Sequence, residues 1–202
     1  MLVFLVSKQK GKLMNKKILL LVAAEPLAGK DKVGDTLRDR HRFIRISTGD
    51  FIRGYVIGNG LGSTDRSNLN KVSTEARRKF GAAWPVPEIL QQQYGSKPRL
   101  VLVGPRLPAE AEPVIKLGGK IIAVRCPIHI RYERARANVR NRPEDNVSFD
   151  EFKAIEERES VNTDPYAHNL SALLKMAHFT IQNDGTEAQL YQRIDEVVRQ
   201  LS

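Results

Sequence analysis

The segment Ala24-Glu25-Pro26-Leu27-Ala28-Gly29-Lys30-Asp31 sets a glycine and a lysine side by side just after an apolar run, Ile18–Ala24. A buried strand that turns through such a loop into a helix brings backbone N–H groups to bear on phosphate oxygens. The general pattern is G-x-x-x-x-G-K-[ST]. Gly29-Lys30 matches its core, while Ala24 replaces the first glycine and Asp31 the hydroxyl residue. Alanine serves at position 24 if the backbone there is β-like and is costly if a positive φ is needed. Leu27, Ala28, Gly29, Lys30, Asp31 and Lys32 are therefore the candidate phosphate-binding residues, with Lys30 bridging the outer phosphates. Asp31 offers a carboxylate to Mg²⁺ and repels phosphates when no cation intervenes, so metal dependence is expected. Taken alone, the octet also fits a surface turn with a solvated lysine.

A second segment, Ile46-Ser47-Thr48-Gly49-Asp50-Phe51-Ile52-Arg53, resembles the one that follows the second strand of adenylate kinases. That resemblance implies an acceptor site of Thr48, Gly49, Asp50 and Arg53, with Thr48 on the nucleoside and Arg53 on its phosphate. From its residue type alone, Asp50 is expected at a helix N-cap. Downstream, Val103-Gly104-Pro105-Arg106 is similar to the Asp-Gly-x-Arg element of the wider nucleoside monophosphate kinase superfamily, which includes dephospho-coenzyme A kinase-like members. Arg106 is then the arginine that grips the acceptor phosphate, and Val103 stands where the family usually has a Mg²⁺-associated aspartate.

The same resemblance casts the arginines after the fourth strand as a lid that closes over the phosphates. The run holds Arg131, Arg134, Arg136, Arg140 and Arg142, and a short turn is expected at 143–146, so the lid is expected to be short. Lys30, Arg106, Arg134, Arg136 and Arg140 are the implied catalytic set. Asn183-Asp184-Gly185-Thr186 occupies the place of the loop that cups the donor adenine, which makes Asn183, Gly185 and Thr186 ATP-binding candidates. As residues they also suit an ordinary turn and helix cap. The stretch 148–159 looks more like the dephospho-coenzyme A kinase branch and 47–53 more like adenylate kinases, so the acceptor stays open between the two.

These loops need a frame. Strands are expected at 18–24, 43–46, 100–103, 120–124 and 178–182, and helices at 30–40, 50–57, 68–80, 108–117, 127–140, 148–160 and 187–201. In the last helix Leu190, Ile194, Val197, Val198 and Leu201 recur at helical spacing. Alternating strands and helices imply an α/β doubly wound, three-layer domain on a five-stranded parallel sheet, the P-loop kinase fold of the resemblance. Residues 16–202 are expected to form one such domain, with 1–15 a disordered extension and Met14 an alternative start. Lys16-Lys17 ahead of the run at 18–24 has the order of a secretory signal, but Glu25-Pro26 is no small-residue cleavage site. No apolar run nears the ~20 residues of a membrane helix.

The 202 residues suffice for one ordinary domain. A hydrophobic share of 41% and a charged share of 28% exclude disordered and collagen-like chains. The single cysteine, Cys126, excludes an intrachain disulfide, and with it a cytoplasmic setting is expected. Thirty-three basic against 23 acidic side chains give a net charge of +10, which favours anionic partners. The four histidines, His41, His129, His168 and His178, lack metal-ligand spacing and are expected in core or surface roles. The expected activity is phosphoryl transfer from ATP, with Mg²⁺, to a nucleotide-type acceptor. Two other classes stay open. A nucleotide-binding module with weak or lost catalysis fits Ala24, Asp31 and Val103; a nucleic-acid binder fits the charge but lacks interleaved aromatics and any recognition motif.

Overall fold

The computed structural model describes residues 17–95, 98–137, 147–160 and 164–201. The expected extension at 1–15, Met14, the lid residues Arg140 and Arg142 and the turn at 143–146 lie outside the described residues.

Five parallel strands form one sheet: β1 (Ile18–Ala24), β2 (Ile44–Ser47), β3 (Arg99–Val103), β4 (Lys120–Arg125) and β5 (Phe179–Gln182), in the order β2-β3-β1-β4-β5. β1 is central and buried at all seven positions, as its unbroken apolar run requires. Its side chains alternate between the two faces. Leu20 and Val22 meet Val33 and Leu37 of α1 (Lys30–His41) and Leu190 and Ile194 of α9 (Glu187–Gln200). Leu19 and Leu21 face the opposite layer. That layer contains Ile89 of α4 (Val86–Gln93), Ala111 and Val114 of α5 (Pro108–Lys116) and Leu173 of α8 (Leu170–Lys175). Each fully buried Leu or Val contributes about 1.5–3 kcal/mol, so the layers hold the strand ends, where the functional loops sit, in fixed register.

Two helices carry the sequence beyond β2: α2 (Thr48–Gly58) and α3 (Arg66–Phe80), joined through Ile52, Ala76 and Trp84. After β4 come α6 (Ile128–Ala137) and α7 (Phe149–Ser160). The α/β class, the five parallel strands and the order of the expected helices hold.

Three local expectations need correction. Asp50 is not the cap of α2. Ser47 leaves β2 in an extended conformation and its hydroxyl accepts the Asp50 N–H at 3.1 Å, which puts Asp50 in the first turn. There its charge faces the positive end of the helix. Helices α4 and α8 were not expected: α4 begins through Pro85 and Pro87, which read as breakers but suit a first turn, and α8 is a six-residue helix too short to show a period. The α9 cap is as expected, with Thr186 and Gln189 exchanging bonds in a capping box.

Candidate active site

Residues 24–31 form a tight loop over the carboxyl end of the sheet, where ligands bind in such folds. Ala24 is still part of β1, so the freedom of a glycine is not needed there. The left-handed positions fall at Leu27 (φ 62°) and Gly29 (φ 100°). Gly29 is required twice over: a Cβ there would lie 2.3 Å from Asn183 Nδ2, which itself donates to the Ala28 carbonyl at 2.8 Å. Arg134 fastens the loop, donating to the Leu27 carbonyl at 3.1 Å and the Asn183 carbonyl at 2.9 Å. Buried Arg131 braces it from below through the carbonyls of Cys126 and Pro26 and an ion pair with Glu156.

Two clefts open on either side of this loop. The first, about 630 Å³, is lined by Gly29, Lys30, Lys32, Arg134 and Asn183, and on its far side by Pro105, Leu170 and Leu174. The second, about 470 Å³, is lined by Arg45, Thr48, Gly49, Asp50, Arg53 and Arg77 among others. Lys30, Asp31, Gly104, Arg106, Glu156 and His168 line both. Gly104 (φ 103°) brings β3 close in: a Cβ there would sit 3.1 Å from Thr48 Oγ1 and 3.9 Å from Lys30 Cε.

The structure thus places Leu27, Gly29, Lys30, Asp31, Lys32 and Asn183 on the first cleft and Thr48, Gly49, Asp50 and Arg53 on the second, with Arg106 between them. Ala28 is buried beneath the loop. Gly185 and Thr186 shape the start of α9 and line neither cleft, and Arg136 is exposed on α6 away from both.

Charge at the seam is organised around Asp31. Its carboxylate accepts Lys30 Nζ at 2.6 Å and Arg45 Nη2 at 2.7 Å. Burial alone would raise its pKa; the two cations outweigh that and hold it below the usual carboxylate range. Arg45 reaches α1 because position 34 is glycine. A Cβ there would meet Val103 Cγ2 at 2.7 Å and Arg45 Nε at 2.9 Å, so Val103, Gly34, Arg45 and Asp31 converge. Arg53 pairs with Asp50 at the cleft mouth.

Sequence reasoning missed Arg45, Arg77, Glu110 and the place of His168. Glu110 is buried in α5. Its Oε2 accepts the backbone N–H groups of Arg106 at 2.6 Å and Leu107 at 2.8 Å, which fixes the loop carrying Arg106. Burial pushes its pKa up, against the pull of Arg77 and those N–H donors. His168 is a cleft residue rather than a core or surface one. Burial, then the guanidinium groups of Arg106, Arg77 and Arg66, push its imidazole down to about 3. Glu110 at the third position after Leu107 was the one readable signal, since an acid there suits a helix start.

The chain is 31% identical over 186 residues to the "UPF0200/UPF0201 protein" of Archaeoglobus fulgidus, a name that states no activity. That match covers 88% of this chain, and the chain spans about half (54%) of the length of that relative. Shikimate kinase from Bacteroides thetaiotaomicron superposes with a TM-score of 0.60 at 12% identity, covering 91% of this chain and 98% of that one. Dephospho-CoA kinase from Campylobacter jejuni gives 0.51 at 18% identity, covering 92% and 98%. The fold is that of the P-loop kinases. No protein-family model matches the chain, and among the described residues no helix is long and apolar enough to cross a membrane.

Nucleotide chemistry on this fold implies Mg²⁺. Among the described residues no group of three or more His, Cys, Asp or Glu side chains could hold a metal by itself. The donor set fits a cation carried on nucleotide phosphates, which needs only one or two protein carboxylates. Asp31, whose side chain is 60% exposed beside Lys30, is the exposed carboxylate of the loop, and it would have to release Lys30 or Arg45 to meet such a cation.

Proposed function

We propose that the protein is an ATP-dependent phosphotransferase that moves the γ-phosphoryl group of ATP to a nucleotide-type acceptor, a nucleoside monophosphate or a dephospho-coenzyme A-like molecule. The observation that carries this reading is the shared wall. Two clefts meet at Lys30, Asp31, Gly104, Arg106, Glu156 and His168, so ligands in each would present their phosphates to one another across a single wall on which Lys30 and Arg106 stand beside the carboxylates of Asp31 and Glu156. In-line phosphoryl transfer needs little more than such positioning and charge stabilisation.

Donor phosphates would lie on the loop amides from Leu27 to Lys30 at the N-terminus of α1, with Lys30 on the outer oxygens. Asp31 would contribute to holding Mg²⁺, which supplies charge neutralisation of the phosphates when bound. Arg53 and Arg106, from α2 and the β3–α5 loop, would converge on the acceptor. Arg134, expected as a lid arginine, donates to two carbonyls, and these bonds would make it a positioning residue for the loop.

Transfer of labelled γ-phosphate from ATP to a panel of nucleoside monophosphates and dephospho-coenzyme A, with and without Mg²⁺, tests the reading. Arg53→Ala and Arg106→Ala should each harm acceptor use far more than ATP binding. Loss of ATP binding with an intact acceptor response would reverse the two assignments.

A binding module without turnover is favoured by one observation: both oxygens of Asp31 are already taken by Lys30 and Arg45, and Val103 supplies no second carboxylate. It predicts ATP binding with transfer to none of the panel.

A further inference from the structure

Arg77 is the largest fully buried side chain of the described residues, 2% exposed, and it lines the floor of the second cleft. Its donors are poorly used. Nη1 reaches Ser73 Oγ and Nη2 reaches Glu110 Oε1, each at 3.4 Å, and Nε has no partner although it is buried. A guanidinium has five N–H donors in a rigid fork. Leaving them under-satisfied away from water costs free energy that native structures rarely leave uncompensated. Glu110 cannot close the gap, because its Oε2 is committed to the backbone N–H groups of Arg106 and Leu107.

We propose that the floor of this cleft is a second anion subsite, in which Arg77, flanked by Arg66 and Arg106, receives a phosphate or carboxylate group of the acceptor. It lies deeper than the Arg53–Asp50 pair at the mouth. The acceptor therefore carries an anionic group that reaches this floor, in addition to the group that meets the donor. The word acceptor rests on the function proposed above; the anion subsite rests on Arg77 alone.

His168, on the same cleft, stands beside the same arginines. It is held neutral far below the ordinary histidine range, first by burial and then by the guanidinium groups of Arg106, Arg77 and Arg66. Facing it across the clefts are Arg66 and Arg77 of α3, Arg106 of the β3–α5 loop, Lys30 and Asp31 of α1 and Glu156 of α7. The part of that effect that comes from the guanidinium groups, which oppose a proton on the imidazole, favours an anion in the same place. An anion bound there would in turn let His168 take up a proton, which makes its ring a reporter of occupancy.

The test titrates the full chain with inorganic phosphate, and in a second arm with acetate, at about pH 5.5, below the ordinary histidine value. Ring signals of His168 are read by NMR and assigned with His168→Gln. The expected result is a saturable shift toward the charged form. Arg77→Lys keeps a cation against Glu110 but loses the fork, and should weaken the response at least tenfold. Lys30→Ala should weaken it less than Arg77→Lys does, which separates this subsite from phosphate held on the Leu27–Lys30 loop. Should Arg77→Lys fail to fold, Arg66→Gln, at a half-buried position on the first turn of α3, should weaken the response at least threefold. Saturation by phosphate alone assigns the subsite to a phosphate group, and saturation by both anions admits a carboxylate. A His168 ring that never responds, or a response that Lys30→Ala abolishes and Arg77→Lys and Arg66→Gln leave intact, overturns the subsite. Phosphoryl transfer without the His168 response overturns the subsite only; the response without any transfer overturns the proposed function only.

Discussion

The Asp31 carboxylate on α1 and the Arg45 guanidinium on β2 meet at 2.7 Å across the seam of the two clefts, and the second oxygen of Asp31 holds Lys30 at 2.6 Å. One carboxylate thus ties the lysine of the loop to an arginine of the second cleft. It occupies the position of an internal anion, and a phosphate that engages Lys30 must share or displace it.

Removing that charge should have opposite effects on binding and turnover. In Asp31→Asn, metal-free ATP should bind more tightly, by up to about fivefold, since an exposed charge contact contributes at most ~1 kcal/mol. Mg²⁺-dependent transfer should fall. Val103→Asp should partly restore it, because position 103 packs beside Gly34 and Arg45. Binding and transfer measured on the same proteins decide the matter; full Mg²⁺-dependent turnover in Asp31→Asn would rule out any metal role for this carboxylate.

Lys30→Ala should weaken ATP binding roughly tenfold or more, because hydrogen bonds to charged groups contribute about 1.5–3 kcal/mol. Calorimetric titration of ATP against both proteins checks this. Equal affinities would make Lys30 a plain partner of Asp31 and remove it from the phosphate site.

Arg134→Met should loosen the loop. The Leu27 and Asn183 carbonyls would lose their shared donor, at a cost of about 1–3 kcal/mol, and Leu27 would be freer to leave its left-handed conformation. Thermal stability and ATP affinity should then fall together. A variant with wild-type stability and ATP affinity but slow transfer would restore the lid role to Arg134.

What the sequence made legible follows from which signals are local. Ile18–Ala24 reads as a buried strand because nothing polar interrupts it, and Gly29-Lys30 reads as a phosphate loop because the glycine, the lysine and the following helix are contiguous. Arg45, Arg77 and His168 could not be placed this way. Each owes its role to elements far apart in sequence: Arg45 to the missing side chain at Gly34, Arg77 to Glu110 on another helix, His168 to arginines of α3 and the β3–α5 loop. Arg134 and Arg136 look alike on paper, two residues apart on one helix. Only the fold shows that one reaches the loop carbonyls and the other faces water.

His168 gives the sharpest pH signature. Its folded-state value is about 3, below the ordinary 6.5 of an unfolded histidine. Between those values the unfolded chain binds the proton and the folded chain does not, so stability rises with pH across the window. The contribution is fully present above about 6.5 and is lost progressively as pH falls toward 3. The limiting slope is about 1.4 kcal/mol per pH unit for one proton, and less where solvent screens the ring. Chemical denaturation of wild type and His168→Gln between about pH 7 and 5 isolates this group, because most carboxylates stay ionised there. The wild-type curve should fall more steeply on acidification, by up to one proton's slope, and saturating phosphate should flatten the difference. Parallel curves would mean that His168 is solvated and does not feel the arginines of the cleft.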